Sequence, residues 1–382
     1  MNKLYIDCGY FVCRHISDAL REKQNSVVLD VKDPDVLYSF CQRHKLTTIL
    51  GSVISDKSTG CKRITEDAKL LALRQLKRGT ESDSISTQFK AQNIPHIVQK
   101  GTTLAKFYPD YIVRDSADID IYVQSKFVES AGKVLTLNGY SLEKLNNDNE
   151  FCYYKHPRYC VELHTKLSGF NEKQKTIFNS IAEKTLNSGN SIMNDSDNYI
   201  CTLFHLYKHL TFSGAGVRMF LDIYMMKRNA LLDEVYVKST LSELGINDFE
   251  QAVCEINAVL FEGKDATDDI KAVIEFIFES GIYGTADNHN HLNQINNSAT
   301  DVNKRQKFAA ENGISFSAMS KRYPILKKAP VLYPFSFVHR FFYGIINRRK
   351  SLTDARKLKN SISRDKISKY KKIFETLHIN TD

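Results

Sequence analysis

Residues 97–123 read IVQKGTTLAKFYPDYIVRDSADIDIYV, and the fold turns on how this stretch divides. Its end, Asp118–Val123 (DIDIYV), alternates acid with apolar residue, as a strand with one wet and one buried face does. Working back, His96–Gln99 (HIVQ) is a short β-prone run that stops at Lys100-Gly101, and Thr102–Phe107 reads as a short helix. Working forward, Lys126–Leu137 is amphipathic, with Phe127, Val128, Ala131, Val134 and Leu135 on one face and Gly139 as its stop. Two further strands follow, Phe151–Lys155 and Tyr159–His164, joined by a turn at His156–Arg158 that contains Pro157. The expectation is a mixed α/β (α+β) chain with a small mixed sheet flanked by N- and C-terminal helical regions.

Outward from this core the period changes. Residues 1–95 read as helical, with apolar residues at three- and four-residue spacings in Val36–His44 and Asp67–Lys77, interrupted by a polar stretch at Arg78–Ser86. The boundaries expected are 1–95 helical, 96–168 the sheet core, 169–284 a helical domain, 285–303 a polar loop and 304–382 a basic helical region broken at Pro324, Pro330 and Pro334.

Composition bounds the class. The chain has 382 residues, 42% hydrophobic and 25% charged, ordinary for a globular protein. No run approaches the roughly 18–20 apolar residues of a membrane span, and the N-terminus lacks the pattern of a secretory signal. A cytoplasmic location is expected. Eight scattered cysteines without a CxxC pair read as reduced, buried thiols, not as a zinc site or a disulfide framework. Residues 321–382 carry sixteen Lys+Arg against four Asp+Glu, a net of +12, so the rest of a chain totalling +9 is slightly acidic. Such a tail suits an anionic polymer or peripheral contact with a membrane surface; a solvated helical appendage explains it equally.

The chemistry concentrates in carboxylates. Asp118 and Asp120 project from one strand face roughly 6–7 Å apart, a spacing at which two acids share a divalent ion. Glu162, in YCVELH, occupies the matching position on another strand, with Val161 and Leu163 turned inward. Three such oxygens suit Mg²⁺, with Mn²⁺ as the alternative, completed by water and phosphate oxygens. Gly101-Thr102, between a strand and a short helix, is a turn whose backbone N–H groups can approach phosphate. Lys100 adds charge there, with Lys106 as its competitor. Arg114 either contacts a triphosphate or forms a salt bridge to Asp115 or Asp118. His164 shares the face of Glu162. His205 and His209 stand four apart on a helix, as half-buried or substrate-facing residues or, less simply, as a zinc pair. Arg218 and Asp222, also four apart, either pair with each other or align substrate. The HNH string at His289–His291, without supporting ligands, reads as chance.

These residues resemble the glycine-turn and D-x-D signature of the DNA polymerase β-like nucleotidyltransferase superfamily. More closely, the chain is similar to an uncharacterised bacterial nucleotidyltransferase family met among polysaccharide-synthesis proteins. There a KG turn leads to YP, Arg and DID, here Lys100-Gly101, Tyr108-Pro109, Arg114 and Asp118-Ile119-Asp120. The ELH segment resembles Glu162-Leu163-His164, and the spaced histidines followed by Arg and Asp resemble His205, His209, Arg218 and Asp222. Ser317–Arg340 is similar to that family's C-terminal segment. Two departures stand out: Gly101-Thr102 replaces the usual Gly-Gly or Gly-Ser, and the interval to Asp118 is longer.

The resemblance implies Mg²⁺-dependent transfer of a nucleoside monophosphate from an NTP to a glycan, small-molecule or RNA acceptor, with release of pyrophosphate. The rival readings are a D-x-D sugar-nucleotide glycosyltransferase, which releases a nucleoside diphosphate, and a catalytically silent nucleotide- or polymer-binding scaffold.

Overall fold

The computed structural model describes residues 3–22, 28–55, 57–147, 149–156, 159–285, 287–289, 291–292 and 364–380. One compact unit covers Met1–Thr285 with Ile373–Ile379, and a second covers Ala286–Lys372 with Asn380–Asp382. The first holds a five-stranded mixed sheet: β1 (His96–Gln99), β2 (Ile119–Val123), β3 (Ser141–Asn147), β4 (Glu150–Lys155) and β5 (Tyr159–His164). The order across the sheet is β1-β2-β5-β4-β3, with β2 and β5 parallel and every other pair antiparallel. The protein is therefore of the mixed α+β class that the alternation of DIDIYV predicts.

Each face of β2 has its own cover. Ile119, Ile121 and Val123, with Val161 and Leu163 of β5, pack against Ile85 and Phe89 of α4 (Lys62–Ala91) and against Ala131, Val134 and Leu135 of α6 (Val128–Leu137). Fully burying an aliphatic side chain contributes about 1.5–3 kcal/mol, so this cluster anchors β2 and β5 side by side. The other face carries Asp120 and Glu162. The free edge of β1 is partly capped by Val98 N donating to Ser191 O at 2.8 Å.

Ahead of the sheet lie α1 (Lys3–Glu22), α2 (Pro34–His44), α3 (Thr47–Val53) and α4, and α5 (Gly101–Ala105) follows β1. After the sheet come α7 (Glu172–Asn187), α8 (Asp195–Phe212), α9 (Val217–Asn229), α10 (Glu234–Leu244), α11 (Asn247–Glu262) and α12 (Asp268–Ser280). Side-chain caps start several of them, Asn171 on α7, Asn194 on α8 and Thr267 on α12.

Two expectations about elements need correction. The polar stretch Arg78–Ser86 does not interrupt the N-terminal helices: it is the middle of the 30-residue α4. Arg78 at its start, and Gln75 one turn before, face inward onto the chain before β2. Arg78 donates to Ser116 O and lies 3.7 Å from the Asp115 carboxylate, and Gln75 Oε1 accepts from Ser116 N at 3.1 Å and Oγ at 2.9 Å. Strand β3 had no counterpart in the sequence reading. Its SLEKLNN lacks alternation, and its pairing with β4 slips register twice.

In the second unit, residues 287–289 and 291–292, inside the expected 285–303 loop, are helical. Lys366 Nζ reaches Asp287 Oδ2 at 2.8 Å, and Tyr370 OH reaches Asn288 Oδ1 at 2.9 Å, from the helix Arg364–Thr376. His291 there packs edge-on to Tyr370. Pro157-Arg158, the Pro-broken segment with Ser317–Arg340, and most of the basic tail lie outside the described residues.

Candidate active site

The sheet register sets the site. Asp120 stands opposite Glu162 across the parallel β2–β5 pair, Gln99 opposite Asp120 on β1, and Cys152 opposite Glu162 on β4. Directly opposed residues share a face, so Gln99, Asp120, Glu162 and Cys152 form one transverse row. Asp118 lies one residue before β2, on the Asp120 side of the alternation. Gln99, Asp120 and Glu162 of this row floor a cavity of about 280 Å³ whose lining also includes Lys100, Gly101 and Asp118. Helices α8 and α9 supply the opposite wall with Asn198, His205, His209, Arg218 and Asp222.

Asp120 is 2% exposed. Its Oδ1 takes Lys100 Nζ at 2.8 Å and His164 Nε2 at 2.8 Å. Burial alone would raise the Asp120 carboxyl, but the Lys100 ammonium and the His164 hydrogen bond overcome it and hold the group below the usual carboxylate range. Burial would likewise lower the Lys100 ammonium, and contact with Asp120 reverses the sign. Glu162 Oε2 lies 3.6 Å from His164 Nε2; against that contact desolvation, then the charges of Asp120 and Asp118, pushes it up to about 7. Asp118 is also raised, by desolvation and then by Asp120. Three carboxylates thus share a desolvated site in which Lys100 contacts one of them, an excess of negative charge.

That imbalance is the test of fit for a divalent cation. Ligand atoms of Asp120, Glu162 and His164 all lie within 4.8 Å of one another. The donors are mainly carboxylate oxygens, the chemistry Mg²⁺ and Mn²⁺ favour, and a bound cation would offset both the desolvation that chiefly raises Glu162 and Asp118 and the mutual repulsion that adds to it. The residues fit the ion.

The glycine turn is held tightly. Lys100 adopts φ 50°, ψ −111°, a left-handed conformation that a side chain rarely takes, and it aims its ammonium at Asp120. A Cβ on Gly101 would sit 3.0 Å from Ser116 Cβ and 3.4 Å from Asp118 O, so glycine lets the turn close onto the entry to β2. Thr102 is not among the residues lining the cavity, and Lys106 turns away to Asp195 at 2.6 Å.

Arg114 and Asp222 form the buried framework behind the turn. The guanidinium is bidentate, Nε to Oδ1 at 2.7 Å and Nη2 to Oδ2 at 2.8 Å, while Nη1 donates to Gly101 O at 2.9 Å. Tyr108 OH adds a bond to Asp222 Oδ1 at 2.7 Å. Tyr108 and Arg114 of the YP…R…DID pattern therefore converge on one α9 carboxylate and tie the turn to the helical wall. The expected pairings change: Arg114 bonds neither Asp115 nor Asp118, and Asp222 does not pair with Arg218. The geometry explains why, since Asp222 is saturated by Tyr108 and Arg114, and Arg218 instead donates Nη1 to Asp115 O. Arg218 Nε remains buried with no hydrogen-bond partner.

His205 and His209 line the cavity with rings 4.5 Å apart. Burial, then Lys100, lowers His205 well below its ordinary range and His209 to about 4, so both present neutral imidazoles. Among the described residues, no cluster of three metal donors includes either. Of the lining residues that sequence patterns do not single out, three bear on binding. Gln99 and Asn198 each bury a side-chain amide nitrogen without a partner, and Tyr283 lies beyond the last helix of the core. Gln99 alone had a signal, its place beside Lys100 at the strand end.

A family model described as an uncharacterised nucleotidyltransferase matches residues 30–262, more than half of the chain. No curated protein matches it.

Proposed function

The chain belongs to the uncharacterised nucleotidyltransferase family, and from that premise we propose that it transfers a nucleoside monophosphate from an NTP to an acceptor hydroxyl or phosphate oxygen. The acceptor oxygen forms a bond to the α-phosphorus, the bond from that phosphorus to the bridging oxygen breaks, and pyrophosphate leaves. The observation that carries this reading is the Asp120–Glu162 register pair, with Asp118 beside it, on the floor of a cavity walled by cationic and neutral donors.

Asp118, Asp120 and Glu162 would hold Mg²⁺, or Mn²⁺ in its place, which supplies charge neutralisation for the phosphate oxygens. The chain's own groups do the rest. Lys100 and His164 fix Asp120 by two hydrogen bonds to one oxygen. The Arg114–Asp222 pair holds the Gly101 turn at the cavity. Arg218 Nε and the Asn198 amide are donors left for substrate oxygens. The α8 and α9 wall limits water.

The test uses each α-labelled NTP with Mg²⁺ and a cell extract as acceptor source. Label transfer with pyrophosphate release, reduced about 100-fold or more in Asp118→Asn and Asp120→Asn, is the expected result. Wild-type turnover in either variant would sink the assignment.

A further inference from the structure

One aromatic ring at the cavity belongs to none of the machinery above. Tyr283 lies outside the matched 30–262 span, in the turn after α12. It lines the cavity, is 53% exposed, and has no hydrogen bond or ring contact among the described residues. Its backbone is pinned. Ile282 N donates to Arg43 O at 3.0 Å, Arg43 also donates to Glu279 O, and Ile282 is 6% exposed. Gly284 takes φ +75° where a Cβ would fall 1.8 Å from Ser213 O, so the turn is pressed onto the end of α8.

Ile282 precedes Tyr283, and Met219, buried and lining the cavity, lies next to Arg218. The built Cβ of Gly216 would lie 2.7 Å from Gly281 C and Ile282 N, which brings the start of α9 against this turn. Burial raises the phenol, with the charge of Arg218 opposing and that of Asp118 adding to it. Beside the neutral imidazoles of His205 and His209 and apolar residues such as Leu104 and Met193, the cavity carries carboxylates, cations and amides suited to phosphates and sugar hydroxyls. A nucleobase attached to them needs an uncharged face. Among the described lining residues, Tyr283 is the only phenyl-type ring.

Resting on the nucleotidyltransferase reading, we propose that Tyr283 is a nucleobase platform: the base of the NTP stacks on its ring at the cavity rim. Stacking tolerates every base, so Tyr283 would contribute affinity with little choice among NTPs.

Calorimetric titration of the full chain with Mg·NTP and with Mg·tripolyphosphate separates the base from the phosphates. Tyr283→Ala is expected to weaken NTP binding about ten-fold or more, equivalent to about 1.4 kcal/mol, and to leave tripolyphosphate binding unchanged. Tyr283→Phe, which keeps the face and loses the hydroxyl, is expected to bind NTP as wild type does. An unchanged melting temperature checks the fold of both. Wild-type NTP affinity in Tyr283→Ala, or equal losses for NTP and tripolyphosphate, would overturn the proposal. Wild-type protein that binds neither ligand would fail the underlying nucleotidyltransferase reading, and the platform with it.

Discussion

At the scale of single residues, the site is organised by how unequally charge is balanced around three acids. Asp120 is paired with Lys100 and hydrogen-bonded by His164, whereas Glu162, 3.6 Å from His164, is desolvated and meets the charges of Asp120 and Asp118. Removing the excess charge should therefore relieve strain while removing function. In EDTA, Glu162→Gln is expected to melt at or above the wild-type temperature, yet to lose nucleotidyl transfer by about 100-fold or more; a melting temperature several degrees below wild type would contradict the repulsion. Arg114 and Asp222 behave in the opposite way. Both are almost fully buried and bonded bidentately, and removing one partner of such a pair costs about 3–5 kcal/mol. Asp222→Ala should lose stability on that scale in urea unfolding, and a loss under about 1 kcal/mol would show the pair to be dispensable. The carboxylate face was legible in the sequence because alternation fixes which residues share a face. The partners of Arg114, Arg218 and Asp222 were not, because spacing along a helix says which residues are neighbours, not which neighbour from another element arrives first.

At the scale of elements, α4 is the instructive case. Its polar middle reads as a break by composition, but Arg78 and Gln75 are turned inward to bind the backbone and side chain of Ser116. Burial of polar groups is favourable only with such partners, and those partners lie some forty residues away in sequence, beyond the reach of a local window. Hydrogen exchange should show amides 78–86 protected as strongly as those of 70–77. Fast exchange confined to 78–86 would restore the interruption. Strand β3 was missed for a related reason: it is an edge strand with two register shifts, held by pairing with β4 rather than by a pattern of its own. By contrast His96–Gln99 and Tyr159–His164 were read with their observed bounds, since each is a short β-prone run ended by a turn or loop.

At the scale of the whole molecule, the first unit contains several histidines buried in neutral form. His44 accepts from Val217 N at Nδ1 and contacts Phe278 O through Nε2, between the rings of Phe40 and Phe278. Burial, against the opposing hydrogen bond to Phe278 O, pushes it down to about 3, and burial takes His209 to about 4. Both values lie below that of the unfolded chain, near 6.5. The unfolded state therefore binds more protons between about pH 6.5 and 3–4, and stability falls as pH drops through that window. Each such group steepens the fall by up to about 1.4 kcal/mol per pH unit. Urea unfolding at pH 7.5 and pH 5 should show the loss, and His44→Gln should flatten it; a slope unchanged in that variant would contradict the assignment to His44. Among the described residues no helix is long and apolar enough to cross a membrane.

The central claim is that Asp118, Asp120 and Glu162 together hold a divalent ion against an NTP. Its most direct test is titration of Mn²⁺ in the presence of NTP, followed by the free-ion electron paramagnetic resonance signal, for wild type, Asp120→Asn and Glu162→Gln. Wild-type protein should remove free Mn²⁺ with NTP present, and both variants should weaken that binding about ten-fold or more. Equal binding by wild type and variants would place any ion elsewhere and contradict the site.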